Sequence, residues 1–531
     1  MKRYTPILVA AIALATAHAG KIASDLAGAT GPVDVIVQFA KEPDLQALQS
    51  VQRRGGALRH HIRGSRSAAF AIAGSSAAAV AATPGVDHVS LDHRVKAQLD
   101  YSSWGVNAQL AWSSGWTGKG IGVAVIDSGV SHGSAARSRG ADRIAYSESF
   151  GSLQNTDDGY GHGTHVAGIV AGDGGAEGKY MGIAPQADII NLRVLDENGS
   201  GKESDVIAAI YRAIELKDRF NIRVINLSLG RPVYESYKVD PLCQAAESAW
   251  KAGIVVVTAA GNEGRNNAAG NQGYGTILAP GNDPYVITVG AMKAMGTYGR
   301  NDDLIASYSS KGPTAIDHVV KPDLVAPGNQ VVSTIGRGNH TLTMEYPQIV
   351  VAKDYARLSG TSMATPVVSG AAAILLERNP SLTPDQVKAR LMKTASKSFP
   401  ESSIAIEPST GASYVSYYDT FTVGAGYVDI AAALENRDLA TKPALSPTVS
   451  YDPETRKVSL IADASVIWGT NDLWNSSVVW GNTVVWGSSV VWGSSIVWGS
   501  SALASTSVVW GSDVIPESPR AASLMISVNG E

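Results

Sequence analysis

The sequence predicts an α/β protein: a large domain around a mostly parallel sheet, preceded by a small α+β module and followed by a β-rich repeat tail. Three observations predict it. From Trp104 to about Ala433, continuous apolar runs alternate with helical segments. Strands buried on both faces read as unbroken apolar runs, and strands alternating with helices imply a parallel sheet. Residues 20–100 read strand, helix, strand, helix, strand, and after the large domain a Trp-Gly pair recurs every six residues.

The elements follow in chain order. "MKRYTPILVAAIALATAHAGK" joins basic Lys2 and Arg3 to an apolar run, Ile7 to Ala15, and a small-x-small site at Ala17-His18-Ala19. These are the parts of a secretory signal over residues 1–19, cut after Ala19. The apolar run is too short to span a bilayer, so the mature chain is expected outside the cytoplasm, secreted or at the cell envelope, with no stable membrane span. In residues 20–100, "VDVIVQF" and "AAFAIA" read as strands, "DLQALQSVQRR" and "SSAAAVAATP" as helices, and "VDHVSLD" as a last strand. "ALRHHI" adds one more strand candidate, with His60 and His61 on a solvated basic face.

In the large domain, residues 101–434, "IGVAVID", "DIINLRVL", "RVINLSL" and "GIVVVTAA" are the buried strands. "ESDVIAAIYRAIEL" and "PLCQAAESAWKA" are helices between them, and Cys243 in the second reads as a small buried hydrophobe. Residues 435–463 form a linker. Residues 464–511 carry the hexapeptide array, with Trp468, Trp474, Trp480, Trp486, Trp492, Trp498 and Trp510 in step, and residues 512–531 are a C-terminal tail. A glycine after every one of these tryptophans except Trp474, which Asn475 follows, suggests repeated short strands and turns. Three uses fit the array: a structural stack, a tryptophan surface binding polysaccharide or envelope, or a segment removed on maturation.

Bulk composition excludes several classes. With 531 residues, 44% hydrophobic and 17% charged, the chain has a substantial core. A net charge of -4 gives no sign of a nucleic-acid partner. A single cysteine excludes an intrachain disulfide.

Three segments place a reactive side chain where a strand or loop meets a helix. "VAVIDSG" ends a strand with Asp127, "GHGTHVAG" starts a helix with His162, and "LSGTSMATP" starts another with Ser362. A serine hydroxyl needs an adjacent base, and the base needs a carboxylate to fix its tautomer. A zinc site would want His-Glu-x-x-His. His162 and His165 are three apart with no glutamate between them, so His162 reads as the base and His165 as a bystander. Asn262 in "AAGNEG" reads in isolation as a turn residue.

Through "TGKGIGVAVIDSG", "GHGTHVAGIVAG", "INLSLG", "VVVTAAGNEG", "YSSKGP", "KPDLVAPG" and "LSGTSMATPVVSG", the chain resembles the subtilisin-like serine proteases, the subtilase family, from about Trp104 to Leu434. The resemblance implies a three-layer sandwich and hydrolysis of peptide bonds in extended polypeptides through an acyl-enzyme. It implies Asp127 as orienting carboxylate, His162 as general base, Ser362 as nucleophile and Asn262 as oxyanion-hole side chain. Ser228, Leu229 and Gly230 resemble the edge that pairs with a substrate backbone, and Gly199 and Gly201 the opposite wall. Residues 20–100 resemble the family's propeptide, an intramolecular inhibitor, and self-cleavage is expected between roughly Lys96 and Ser103. The chemistry needs no cofactor. Subtilases often bind calcium, but no metal residue is assigned, and Asp157 and Asp158 read as solvated loop acids. Two rival readings are a surface-binding protein with a degenerate protease domain, and esterase or peptide-ligase chemistry on the same triad.

Overall fold

The computed structural model describes residues 21–461 apart from short internal stretches, chiefly 98–104, 132–136, 175–179, 267–270, 408–410 and 453–456, together with 484–485 and 491–492. The signal segment, most of the repeat and the C-terminal tail lie outside the described residues.

The N-terminal module follows the sequence pattern. Strands β1 (Pro32–Phe39), β2 (Ala57–Ile62), β3 (Ser67–Ala73) and β4 (Val86–Leu91) form an antiparallel sheet in the order β2-β3-β1-β4. Helices α1 (Leu45–Gln52) and α2 (Ala77–Ala81) bury Leu48, Val51 and Val80 in a core with Val35, Val37 and Phe70. His60 and His61 are half-buried rather than solvated, because β2 packs against a long helix of the next domain, Glu203–Phe220.

Beyond the module comes β5 (Arg94–Ala97), which leaves its own sheet. The large domain is built on β6 (Gly122–Asp127), β7 (Ile144–Ser149), β8 (Asp188–Arg193), β10 (Ile222–Leu227), β12 (Val255–Ala259), β13 (Ile287–Lys293) and β15 (Leu324–Asn329). With the short strand β14 (Leu304–Ile305) they make an eight-stranded sheet in the order β14-β13-β12-β10-β6-β8-β7, with β15 also on β13. Every pairing in it is parallel except that of β14. β6, β10 and β12 are buried almost throughout, which is why they read as unbroken apolar runs.

Two helix pairs cover this sheet. α4 (Glu203–Phe220) packs with α5 (Pro241–Lys251), and α3 (His162–Ala171) packs with α7 (Thr361–Arg378). Asp240 caps α5 through Leu242 N and Cys243 N, with Pro241 at the first helical position. Cys243 is buried and its thiol donates to Asn282 Oδ1 at 3.3 Å.

The linker expected at 435–463 is in part integral to the domain. Ser446 Oγ donates to Asp323 Oδ1 at 2.5 Å, Val320 N to Pro447 O at 2.8 Å and Val449 N to His318 O at 3.0 Å. Behind Asp323 stand two buried ammonium groups, Lys321 and Lys388. Burial lowers Lys388 to about 7, against the attraction of Asp323. Within the repeat, Val484–Val485 pairs antiparallel with Val491–Trp492, and the rest of the array lies outside the described residues.

Candidate active site

Three element ends converge. β6 ends on Asp127, α3 starts on His162 and Ser362 lies in the first turn of α7. His162 Nδ1 donates to Asp127 Oδ1 at 2.6 Å, and Ser128 N donates to the same oxygen at 2.7 Å. The glycines beside His162 make this contact possible. Gly161 caps α3 at φ +103°, a conformation that a side chain resists. A Cβ on Gly163 would sit 2.2 Å from Gly129 O and 3.1 Å from Asp127 Cβ, so only glycine lets the helix approach the strand end.

Ser362 is held through its backbone. Pro366, four residues on, has no N–H, so the Ser362 carbonyl loses its helical donor. Ser228 Oγ replaces that donor, reaching Ser362 O at 2.6 Å. Asn226 Nδ2 donates to Ser228 Oγ at 2.9 Å, and Ser369 Oγ donates to Asn226 Oδ1 at 2.8 Å. The nucleophile candidate, Ser362 Oγ, donates to Ser228 O at 3.1 Å.

Asn262 is anchored by one side only. Its Oδ1 accepts from Thr361 N at 2.8 Å and Thr361 Oγ1 at 3.2 Å. Its Nδ2 is buried and, among the described residues, has no hydrogen-bond partner. Asp127, His162, Ser362 and Asn262 are each at most 2% exposed with the N-terminal module in place. His165 lies on the inner side of α3, with Nε2 3.2 Å from Ala356 O. Burial, then the neighbouring His162, pushes it down to about 3, so it stays neutral as a packed bystander.

The residues expected at substrate walls lie in or beside the two strands that flank β5. β9 (Ser200–Lys202) and β11 (Leu229–Gly230) flank β5 in a three-stranded sheet, order β9-β5-β11. Gly201 pairs with Val95, Gly230 with Lys96 and Leu229 with Ala97. Gly199 makes the turn into β9 at φ +68°, against the Tyr160 ring. The Ser228 side chain faces Ser362 O, a role that its place in "NLSLG" did not reveal.

Comparison with known proteins matches this architecture. The Subtilase family model covers residues 118–424, more than half of the chain. The chain belongs to the subtilase family. It is a subtilisin-like serine protease, and proteins are its substrates. Serine protease AprX of Bacillus subtilis (strain 168) is 38% identical over 317 residues, 58% of this chain and 69% of that protein. Subtilisin E of Bacillus subtilis (strain 168) is 33% identical over 349 residues, covering 65% of this chain and 79% of that protein. In fold, the chain is similar to fervidolysin from Fervidobacterium pennivorans, a keratinolytic enzyme related to subtilisin, with a TM-score of 0.59 at 21% identity over 84% of this chain and 68% of that one.

One subtilase residue near the site departs from the sequence reading. Asp157 is exposed, as a loop acid should be, but Asp158 is buried at the base of the turn into α3. Sequence offered no signal for this beyond its place four residues before His162. Among the described residues no three His, Cys, Asp or Glu side chains are grouped to hold a metal ion, and no helix is long and apolar enough to cross a membrane.

Proposed function

We propose that this subtilase is a secreted endopeptidase made as a self-processing precursor, with Ser362 as nucleophile, His162 as its base and Asp127 as the carboxylate that orients the imidazole. The observation that carries this reading is the buried Nδ2 of Asn262, unpartnered among the described residues, on a side chain whose Oδ1 is held by Thr361 N, next to Ser362. A buried donor without an acceptor is costly in a resting protein. It becomes useful when a tetrahedral intermediate puts negative charge on the former carbonyl oxygen, beside the Ser362 N–H in the first turn of α7. His162 takes the proton of Ser362 Oγ as the acyl bond forms and returns it to the leaving amine.

Substrate enters as an extended strand. The place of β5 between β9 and β11 supports this, since main-chain pairing reads any unfolded polypeptide before side chains are tested. In the precursor that strand belongs to the N-terminal module, residues 20–100, which acts as intramolecular inhibitor until the chain is cut between roughly Lys96 and Ser103. Residues 1–19 direct export.

The test is expression of the full chain as wild type and Ser362→Ala, followed by N-terminal sequencing and a casein assay. Wild type should start within residues 97–103 and digest casein, while the variant stays joined to its module and inactive. The activity loss should be on the order of a millionfold, a magnitude measured on subtilisin itself. Normal processing of the variant in isolation would show that another protease makes the cut.

A further inference from the structure

The proposed reaction leaves one buried carboxylate near the base without a part, and the geometry points to Asp158 as a positioning residue that fixes His162 against Asp127. This inference rests on the triad reading above. Asp158 is 3% exposed. Its Oδ1 accepts from Ser128 Oγ at 2.8 Å, Gly161 N at 2.7 Å and Tyr160 N at 3.1 Å, and its Oδ2 accepts from Thr164 N at 2.8 Å.

These four donors come from distinct parts of the site. Ser128 follows the orienting acid, Gly161 precedes the base, and Thr164 lies in the first turn of α3. Ser128 Oγ in turn accepts from Gly163 N at 2.9 Å. A single carboxylate therefore spans the gap between the strand that carries Asp127 and the helix that carries His162. A carboxylate suits this role because both of its oxygens accept. Its charge is met by backbone N–H groups at the positive end of a helix.

The same turn is gripped from its other side. The segment before Ser362 forms β16 (Val331–Thr334), α6 (Thr341–Glu345), β17 (Val350–Ala352) and β18 (Tyr355–Leu358). His340 Nδ1 donates to Asp158 O at 2.6 Å, Thr341 N to Gly159 O at 3.0 Å and Leu342 N to Tyr160 O at 3.2 Å. With its backbone clamped, Asp158 holds both catalytic groups from a fixed point. Displacements well under the size of an atom matter here, since misplacing a reacting group by about 1 Å costs on the order of a hundredfold in rate.

The test compares the processed wild-type protein with Asp158→Asn and Ser128→Ala on a peptide anilide, normalised to the folded fraction from thermal unfolding. Asp158→Asn turns one acceptor into a donor facing the Thr164 N–H or Ser128. It should lower kcat about 10–100-fold. KM should stay within about twofold, because β9 and β11 are untouched and only transition-state alignment is lost. The acid limb of kcat/KM should move to lower pH, since an imidazolium less well held by Asp127 gives up its proton more readily. The other titratable groups around that imidazole, His165 on α3 and His340 over Gly161, remain in every variant. Ser128→Ala removes one spoke and should act in the same direction more weakly, and it decides alone if Asp158→Asn does not fold. Unchanged kcat and acid limb in the folded variants, or an activity loss that follows only the folded fraction, would overturn the inference. Activity retained by Ser362→Ala would overturn the triad reading instead.

Discussion

The Asp127–His162–Ser362–Asn262 centre and the surface on which the N-terminal module docks belong to the same domain but are built on opposite principles. The centre is buried, and its fixed contacts are short hydrogen bonds among groups on β6, α3, α7 and the Asn262 turn. The docking surface buries Ile36 and Ile62 of the module against the domain and surrounds them with polar, titratable pairs. His88 Nε2 meets Glu235 Oε2 at 2.5 Å, Asp92 accepts from Ser204 N at 2.8 Å and Ser204 Oγ at 2.5 Å, and Lys202 Nζ reaches Asp34 Oδ2 at 2.6 Å. Rigid contacts suit a centre that must hold its geometry through every turnover. Contacts that depend on protonation and solvent would suit the proposed inhibitor module, which binds first and then leaves.

After the loss expected for Ser362→Ala, the largest effect should come from Asn262 Nδ2, which has no hydrogen-bond partner among the described residues. Asn262→Ala removes Nδ2 while Ser362 N–H remains, so kcat should fall about 10²–10³-fold, roughly 3–4 kcal/mol of barrier, a magnitude taken from subtilisin's own asparagine. KM should hardly move, because the lost bond forms only as charge develops. A change confined to KM would mean that Asn262 binds ground-state substrate. The variant also loses the Oδ1 contacts to Thr361 N and Oγ1, so thermal unfolding must accompany the kinetics.

This contrast also explains what the sequence disclosed. The parallel sheet was legible because β6, β10 and β12 bury both faces and so carry no polar alternation. Asp127, His162 and Ser362 stood out as candidates because each stands in a short glycine-rich motif whose spacing is local. Asp158 was not legible, since "NTDDGYG" looks like a solvated turn and the cover over it comes from His340, 182 residues away. The part played by Ser228 depends on a carbonyl that Pro366 leaves without a helical donor, a relation across 134 residues. The docking of Ser446 follows from Asp323, Lys321 and Lys388 being buried together, and nothing in the linker's composition announces it.

A smaller effect should come from pH at the docking surface. Burial raises Asp92 from 3.8 to about 6, against the lowering by the two Ser204 hydrogen bonds, and raises Asp205 beside it to about 6 as well, against Lys202. Burial raises Glu235 too, against the lowering by His88. A carboxylate whose value is higher when docked favours the docked state at low pH, and that contribution fades as pH rises through the docked value. For Asp92 the window runs from 3.8 to about 6. Asp34 has the opposite sign, because Lys202 and Arg59 outweigh the effect of its burial, but its window lies below 3.8. The processed complex should therefore release its module faster at pH 8 than at pH 5 on size-exclusion chromatography. Asp92→Asn should flatten that difference. Equal release of the wild-type complex at the two values would remove pH from the account of this surface.

The smallest effect tests whether every pair on the docking surface matters. Lys202 Nζ and Asp34 meet at 2.6 Å, but their side chains are 46% and 28% exposed. Water and salt compete for both, and exposed pairs of this kind contribute about 0.2–1 kcal/mol. Lys202→Ala should weaken docking by no more than about fivefold, which is about 1 kcal/mol, and the loss should shrink in high salt as the charges are screened. The backbone pairing of Lys202 with Arg94 survives the substitution, because it needs no side chain. A loss well beyond that range, insensitive to salt, would show that Lys202 acts by holding β9 against β5. The substrate wall and the docking surface would then be one mechanical unit, and the line drawn here between a rigid centre and a releasable surface would have to move outward to include β9.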